Sequence, residues 1–171
     1  MLLAQELYNK AQKIKLVLTD CDGVLTDNGV YYSSEGEYIK KFSIRDGMGV
    51  ERLRLIGIET GIVTGELSKI VLKRAEKLNI KEVHLGIKDK ATLIKALAQR
   101  KNLELCSIAY IGDDINDEEV FSLVGLTAAP QDATIFVQPL AHYHCKNKGG
   151  EGAFREFAEF IIRAQTYKKT L

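Results

Sequence analysis

Short apolar runs alternate along the chain with longer amphipathic stretches. Each apolar run spans four to six residues, which is the usual length of a buried β-strand. The flanking residues are polar or glycine, so each run has a defined beginning and end. These runs predict strands at residues 15–20, 59–64, 82–85, 107–112 and 126–129.

In the longer stretches, apolar residues recur every three or four positions, as they do on one face of a helix. Strands that alternate with helices need crossover connections, and such connections place helices on both faces of a parallel sheet. We therefore expect a single α/β domain over residues 1–171. The predicted helices span residues 1–13, 47–56, 67–78, 90–100, 116–124 and 152–166.

The segment after the first strand departs from this alternation. Residues 27–29 have a turn sequence, residues 30–32 and 38–44 have strand character, and residues 33–36 form a second turn sequence between them. This pattern predicts a β-hairpin over about residues 28–44. Its apolar residues fall on both faces, and an isolated two-stranded hairpin is marginally stable in water, so we expect other subunits to cover it.

Composition excludes several classes of function. Lys and Arg number 24 and Asp and Glu 23, so the net charge of +1 provides no general attraction for nucleic acid or an anionic membrane. No apolar run approaches the roughly 20 residues of a membrane span. The 3 cysteines include no Cys-x-x-Cys pair, so we expect free thiols in a cytoplasmic protein. His142 and His144 share one strand face, but no third soft ligand has the spacing of a zinc site.

Acidic residues follow two of the predicted strands. Asp20 and Asp22 come at the end of the first strand, and a second acidic cluster begins at Asp113, after the strand at residues 107–112. Ligands of parallel α/β sheets lie outside the carboxyl ends of the strands, so Asp20 and Asp113 can converge there. Such oxygen ligands suit Mg²⁺ and a phosphate. Turn formation and helix capping are the alternative roles of these carboxylates.

Two further segments fit a phosphate site. Thr64-Gly65 follows a predicted strand, where a hydroxyl and a glycine amide can bind phosphate oxygens, although a helix cap would have the same sequence. Lys90 begins a predicted helix. Taken alone, a lysine in that position is typical of a solvated surface.

Residues 20–24 (Asp-Cys-Asp-Gly-Val), Thr64-Gly65, Lys90 and residues 112–117 (Gly-Asp-Asp-Ile-Asn-Asp) resemble, in this order, the four motifs of the haloacid dehalogenase superfamily of phosphatases. The resemblance runs from about residue 15 to residue 162. Within it, residues 43–47 and 148–156 resemble the capless branch that acts on phosphorylated 3-deoxy-2-keto sugar acids, either octulosonate 8-phosphate or nine-carbon acids of the sialate type. The resemblance implies a Rossmann-like three-layer fold without a cap domain.

The resemblance also implies a mechanism. Asp20 would be the nucleophile that forms an aspartyl-phosphate, and Asp22 would act as general acid and then as general base. Mg²⁺ would bind Asp20, Asp113 and the backbone carbonyl of Asp22. Asp114 and Asp117 would then lie next to these ligands and orient them or stabilise the local structure.

Substrate contacts follow from the same resemblance. Thr64, Gly65 and Lys90 would hold the phosphate, with Asp22 beside it. In the relatives that act on the eight-carbon acid, the motif resembles Thr-Gly-Arg, with Arg at the position of Glu66, and Arg also tends to stand at the position of Glu51. Arginine suits a sugar-acid carboxylate, whereas glutamate repels it. Glu66 instead resembles the nine-carbon relatives. The other predicted contacts are Ser43, Arg45, Asp46, Gly47, Glu66 and Arg74.

The sequence disagrees with two alternatives to a phosphatase. A phospho-signalling receiver would have its lysine near the end of the chain, whereas Lys90 is central here. A non-catalytic assembly module would have degraded acidic motifs, and these are intact. The resemblance implies a homotetramer, in which a neighbouring subunit lies over each active site and residues 148–152 act as a mobile cover.

Overall fold

The computed structural model of the chain describes residues 2–166. Within these residues, helices and strands alternate from residue 44 to residue 129, as the polarity pattern predicts. The strands are β1 (Leu16–Thr19), β2 (Val30–Ser33), β3 (Gly36–Lys40), β4 (Glu59–Val63), β5 (Glu82–His84), β6 (Ile108–Ile111), β7 (Leu126–Ala129) and β8 (Tyr143–His144). The helices are α1 (Leu2–Gln12), α2 (Ile44–Leu55), α3 (Lys69–Lys77), α4 (Lys90–Lys101), α5 (Glu118–Phe121) and α6 (Ala153–Thr166).

The central sheet is parallel and six-stranded, with the order β5-β4-β1-β6-β7-β8. Alternate residues of each strand face opposite sides of this sheet. In β1, Val17 packs into a core with α1, α2, α3 and α6, whereas Leu16 and Leu18 pack into a second core with α4 and α5. The three-layer α/β architecture is therefore confirmed, and β2 and β3 form the predicted separate antiparallel hairpin.

β1 lies where the strand order reverses. The chain continues from β1 towards β4 and β5 on one side and then returns to β6, β7 and β8 on the other. A parallel sheet has a crevice at such a point, outside the carboxyl ends of the strands. Asp20 follows β1, Thr64 follows β4, and Asp113 follows β6 after Gly112, so the fold brings the predicted chemistry to one crevice.

The boundary between the hairpin and α2 differs from the prediction. β3 spans Gly36–Lys40 rather than residues 38–44. Ser43 is the N-cap of α2, and its hydroxyl accepts hydrogen bonds from the backbone N–H groups of Arg45 at 3.2 Å and Asp46 at 3.5 Å. Since a serine N-cap satisfies these otherwise free donors, the helix begins at Ile44.

Two other helices are shorter than predicted. A 3₁₀ turn (Ile115–Asp117) and the short α5 replace the predicted helix at residues 116–124, because the carboxylate of Asp117 bonds back to the N–H group of Asp113. α3 begins after the N-cap Ser68, which leaves Leu67 83% exposed instead of on the core face. Among residues 2–166, no helix is both long and apolar enough to cross a membrane.

Candidate active site

Asp20 lies at the carboxyl end of β1 and is buried. Its Oδ1 accepts a hydrogen bond from the N–H group of Cys21 at 2.6 Å, and its Oδ2 accepts one from Lys90 Nζ at 2.6 Å. Its own N–H group donates to the carbonyl of Ile111, which ties the residue to the neighbouring strand β6. The Asp20 carboxylate is therefore held in one orientation at the crevice.

Lys90, the first residue of α4, is buried behind Asp20, with 1% of its side chain exposed. Its ammonium group donates to Asp20 and Asp117 at 2.6 Å each and to the hydroxyl of Tyr110 at 3.3 Å. Burial lowers the pKa of Lys90, but the two carboxylates outweigh this effect and raise the pKa above its ordinary value. Lys90 thus brings a positive charge directly to the candidate nucleophile.

Asp117 is fully buried, and both of its carboxylate oxygens have hydrogen-bond partners. Oδ1 accepts from Lys90 and from the hydroxyl of Tyr110. Oδ2 accepts from the backbone N–H groups of Asp113 at 2.9 Å and Asp114 at 3.4 Å. This geometry suits a group that orients Lys90 and the loop after β6 rather than one that reacts.

Asp113 stands opposite Asp20 in the crevice and is buried. Its Oδ2 accepts a hydrogen bond from Asn28 Nδ2 at 3.2 Å. Burial, together with the charges of Asp20 and Asp117, raises the pKa of Asp113 to about 8. Burial and Asp117 also raise the pKa of Asp20 to about 7, against the lowering effect of Lys90.

A divalent cation fits these carboxylates. One oxygen each from Asp20, Asp113 and Asp117 lies within 4.8 Å of the others, and Lys90 is the cation bonded to two of them. Three carboxylates and one ammonium group leave two negative charges uncompensated, and this adds to the effect of burial in raising the pKa values of Asp20 and Asp113. Oxygen donors are the ligands that Mg²⁺ prefers, and the carbonyl of Asp22 accepts no hydrogen bond from within residues 2–166.

Asp22 lies on the side of the crevice nearest the hairpin. Its Oδ1 accepts a hydrogen bond from the ammonium group of Lys40, the last residue of β3, and a long one from the hydroxyl of Thr26 at 3.5 Å. Lys40 Nζ also lies 3.4 Å from Glu37 Oε2. Glu37 in turn accepts a hydrogen bond from Ser68, the N-cap of α3. The hairpin is thereby joined both to the loop that follows β1, residues 20–26, which we call the catalytic loop, and to α3.

A cleft of about 290 Å³ opens above the carboxylates. Thr64 and Gly65 line it, with the Thr64 hydroxyl accepting from the N–H group of Glu66 at 3.3 Å. Lys88 adds a cation at the rim and donates to the carbonyl of Gly65 at 3.0 Å. The residues around the cleft are Asp20, Asp22, Asn28, Thr64, Gly65, Glu66, Ile87, Lys88, Asp113, Asp114, Ile115 and Asn116.

The predicted contacts in residues 43–47 do not line this cleft. Ser43 caps α2 and its carbonyl accepts from Arg74, while Arg45 is exposed beside a different groove near α6. Asp46 Oδ1 accepts from the N–H group of Arg155 at 2.9 Å in the first turn of α6. Within a single chain these residues join α2, α3 and α6. Gly47 allows that join, because a Cβ there would lie 2.8 Å from Arg74 Nη2.

The site also contains residues that were not among the predicted site residues, and three of them are Asn28, Lys40 and Lys88. Asn28 belongs to the turn sequence, and its left-handed backbone, with φ of 63°, explains the turn but not its contact with Asp113. Lys40 carried no signal in the sequence, because its burial, which requires a partner for the charge, is seen only in the folded chain. Lys88 is exposed and carried none.

Residues 148–152 pack against the back of the catalytic loop. The N–H group of Gly150 donates to the carbonyl of Val24 at 2.9 Å. A Cβ at Gly149 would lie 2.0 Å from the carbonyl oxygen of Gly23, so only glycine fits there. Gly23 itself has a φ of 82° and a Cβ there would lie 2.0 Å from Asp113 Oδ2. The loop after Asp20 is therefore packed from both sides.

Known proteins are similar to this chain in sequence over most of its length. The sequence model of the haloacid dehalogenase-like hydrolases matches residues 62–156, which is more than half of the chain. The chain belongs to this hydrolase family. The 3-deoxy-D-manno-octulosonate 8-phosphate phosphatase of Yersinia pestis is 37% identical over 163 residues, covering 95% of this chain and 87% of that protein. The corresponding Haemophilus influenzae phosphatase is 38% identical over 159 residues, covering 93% of this chain and 88% of that protein.

Solved structures of other haloacid dehalogenase-like hydrolases have the same fold. A Moraxella catarrhalis 3-deoxy-D-manno-octulosonate 8-phosphate phosphatase, in complex with a magnesium ion, a phosphate ion and a KDO molecule, has a TM-score of 0.91 at 37% identity, covering 94% of this chain and 92% of that chain. A cobalt-bound phosphatase from Haemophilus influenzae has a TM-score of 0.89 at 38% identity, with 91% coverage of each chain.

Proposed function

We propose that this hydrolase is a Mg²⁺-dependent phosphatase that cleaves the phosphomonoester of a 3-deoxy-2-keto sugar acid of the octulosonate 8-phosphate type. The observation that carries the proposal is the buried cluster of Asp20, Asp113 and Asp117 at the open end of the sheet, three carboxylates with the ammonium group of Lys90 as their paired cation. The relatives named above support the same substrate class and the same metal.

In the proposed reaction, an oxygen of Asp20 attacks phosphorus while the bond from phosphorus to the sugar oxygen breaks, leaving an aspartyl-phosphate. Asp22 donates a proton to the departing alkoxide and later takes one from the water that hydrolyses the intermediate. Lys90 compensates the charge of Asp20, and Thr64 and Gly65 bind phosphate oxygens from the rim. Bound Mg²⁺ would neutralise the carboxylates of Asp20 and Asp113 and the phosphate.

A nine-carbon acid of the sialate type is the second candidate substrate. Glu66 lies at the cleft, exposed, with its carboxylate 3.9 Å from Lys88 Nζ. A glutamate here disfavours a substrate carboxylate at this position. Glu51, the other departure from the eight-carbon pattern, lies on α2 outside the residues that line the cleft. Of the two glutamates, Glu66 alone therefore favours a nine-carbon substrate.

Values of kcat/KM for octulosonate 8-phosphate and for a nine-carbon 9-phosphate, with Mg²⁺ present, test both candidates. We expect phosphate release from at least one of them, and we expect Glu66→Arg to shift the ratio towards the eight-carbon acid. Lys69→Ala, on the exposed first turn of α3, is the control variant, with no expected change in the ratio. Hydrolysis of neither sugar acid would refute the proposed substrate class.

We further propose that residues 1–171 act as one domain in a cytoplasmic homotetramer. Five apolar side chains of the hairpin and the start of α2 are 48–85% exposed in the single chain: Tyr31, Tyr32, Tyr38, Ile39 and Ile44. Exposed apolar patches of this kind mark interfaces, and neighbouring subunits would bury them. The free thiols of all three cysteines support a reducing compartment. Light scattering at micromolar concentration tests the mass, and a monomer would refute the assembly.

A further inference from the structure

The side chain of Lys40 is 1% exposed, although it comes from a hairpin whose other side chains are largely exposed. Burial of an ammonium group costs free energy unless carboxylates compensate it. Two do so here: Asp22 Oδ1 accepts a hydrogen bond from Lys40, and Glu37 Oε2 lies 3.4 Å away. The lysine is therefore directed inward, towards the catalytic loop.

The two oxygens of Asp22 have different surroundings. Oδ1 is bonded to Lys40 and, at 3.5 Å, to the hydroxyl of Thr26. Oδ2 is buried and accepts no hydrogen bond from any described residue. Asp22 lines the cleft, and Lys40 bonds to one of its carboxylate oxygens and not to the other.

We propose that Lys40 is a positioning residue, which fixes the Asp22 carboxylate so that Oδ2 meets the leaving-group oxygen. This inference rests on the proposed phosphatase function. Glu37, held by the N-cap Ser68 of α3, keeps Lys40 in place from its other side. The hairpin therefore takes part in proton transfer through Lys40, without contacting the phosphate.

The dependence of the rate on the leaving group separates this role from a general structural one. A sugar alkoxide must be protonated as it leaves, whereas p-nitrophenolate is stable without a proton. We expect Lys40→Met to lower kcat/KM for octulosonate 8-phosphate roughly 10- to 100-fold more than for p-nitrophenyl phosphate, since a general acid contributes about 10²- to 10⁴-fold. In an Asp22→Asn background, the same substitution should lower kcat/KM for the sugar phosphate no further.

Lys41→Met is the matched control. Lys41 is the next residue, is 59% exposed and pairs with Asp27 at 2.6 Å rather than with Asp22. We expect this variant to keep wild-type kcat/KM for both esters. If Lys40→Met does not fold, Lys40→Gln keeps a hydrogen-bond donor on a shorter, uncharged side chain, and it should show a smaller loss that is still greater for the sugar phosphate than for p-nitrophenyl phosphate.

Equal losses on the two esters, no loss on either, or additive losses in the Asp22→Asn background would each overturn the role of Lys40. Failure of the wild-type protein to hydrolyse either ester in the presence of Mg²⁺ would instead overturn the proposed phosphatase function. The two failures are therefore distinguishable in one set of measurements.

Discussion

Around Asp20, each charged side chain has a partner that fixes its position. Lys90 bonds to Asp20 and Asp117, and Asp117 bonds in turn to the backbone of Asp113. In a buried network, removing one member leaves its partners unsatisfied, and this costs more than the bond itself contributes. The substitutions that test this site should therefore preserve shape.

Asp20→Asn is such a substitution. The amide oxygen can still accept from the N–H group of Cys21, but the group no longer attacks phosphorus. We expect turnover to fall by at least about 10³-fold while the thermal midpoint stays within a few degrees of the wild-type value. Phosphate-release assays and circular dichroism measure the two quantities, and wild-type turnover would contradict the assignment of Asp20.

Asp46 should make stability depend on pH. Burial raises the pKa of Asp46 from 3.8 to about 6, so the native state holds a proton that the unfolded chain releases between these pH values. The stabilising contribution of this group is therefore fully present below about pH 4 and is lost as the pH rises through 6. Its size is on the order of 3 kcal/mol.

Denaturant unfolding of the wild-type protein and of Asp46→Asn between pH 4 and 7 tests this expectation. The asparagine keeps an oxygen for the N–H group of Arg155 but does not titrate. The difference in unfolding free energy, wild type minus variant, should decrease as the pH rises. A constant difference would show that Asp46 does not carry the effect.

At the scale of elements, the loop after β1 depends on glycines in a distant segment. The segment at residues 148–152 lies against this loop so closely that a methyl group at Gly149 has no room. The arrangement of Asp22 relative to Asp20 is thus maintained by a contact between the beginning and the end of the chain.

Gly149→Ala should disturb both stability and catalysis. The added Cβ would lie 2.0 Å from the carbonyl oxygen of Gly23, so the backbone must shift at a cost of about 1–3 kcal/mol. We expect a lower thermal midpoint and a lower kcat. Gly29→Ala, whose Cβ would meet the flexible side chain of Asp27 at 3.2 Å, is the control and should behave nearly as wild type.

The ends of the strands could be predicted from the sequence better than the contacts between elements. The ends of β1, β4 and β6 could be located because apolar runs stop at Asp20, Thr64 and Gly112, and parallel strands bring such ends together. The contact between Lys40 and Asp22 could not, because it depends on how the hairpin folds back over the loop. The start of α2 differs from the prediction for a local reason, since Ser43 caps the helix and places its first residue at Ile44.

At the scale of the whole molecule, the sheet separates two hydrophobic cores, and the candidate active site lies at the carboxyl ends of its strands. Ion binding at that site concerns the stability of the entire fold, because carboxylates from β1 and β6 repel each other when no cation compensates them. A ligand that binds only the native state adds stability that grows with the logarithm of its concentration.

Mg²⁺ should therefore raise the thermal midpoint as well as support activity. At 100 times its dissociation constant, a bound ion adds about 2.7 kcal/mol to the unfolding free energy. We expect excess EDTA to abolish phosphate release, and added Mg²⁺ to restore it and to stabilise the wild-type protein. Asp113→Asn should lose most of this stabilisation, and full activity in EDTA would contradict the metal site.

Of the three cysteines, Cys106 alone is exposed, just before the amino end of β6 and hence at the opposite edge of the sheet from the cleft. Burial raises the thiol pKa values of Cys21 and Cys145, and a protonated thiol is a poor nucleophile. A maleimide should therefore label Cys106 selectively in the unmodified protein. This thiol offers an attachment point for fluorophores, spin labels or a solid support that leaves the catalytic edge facing solvent.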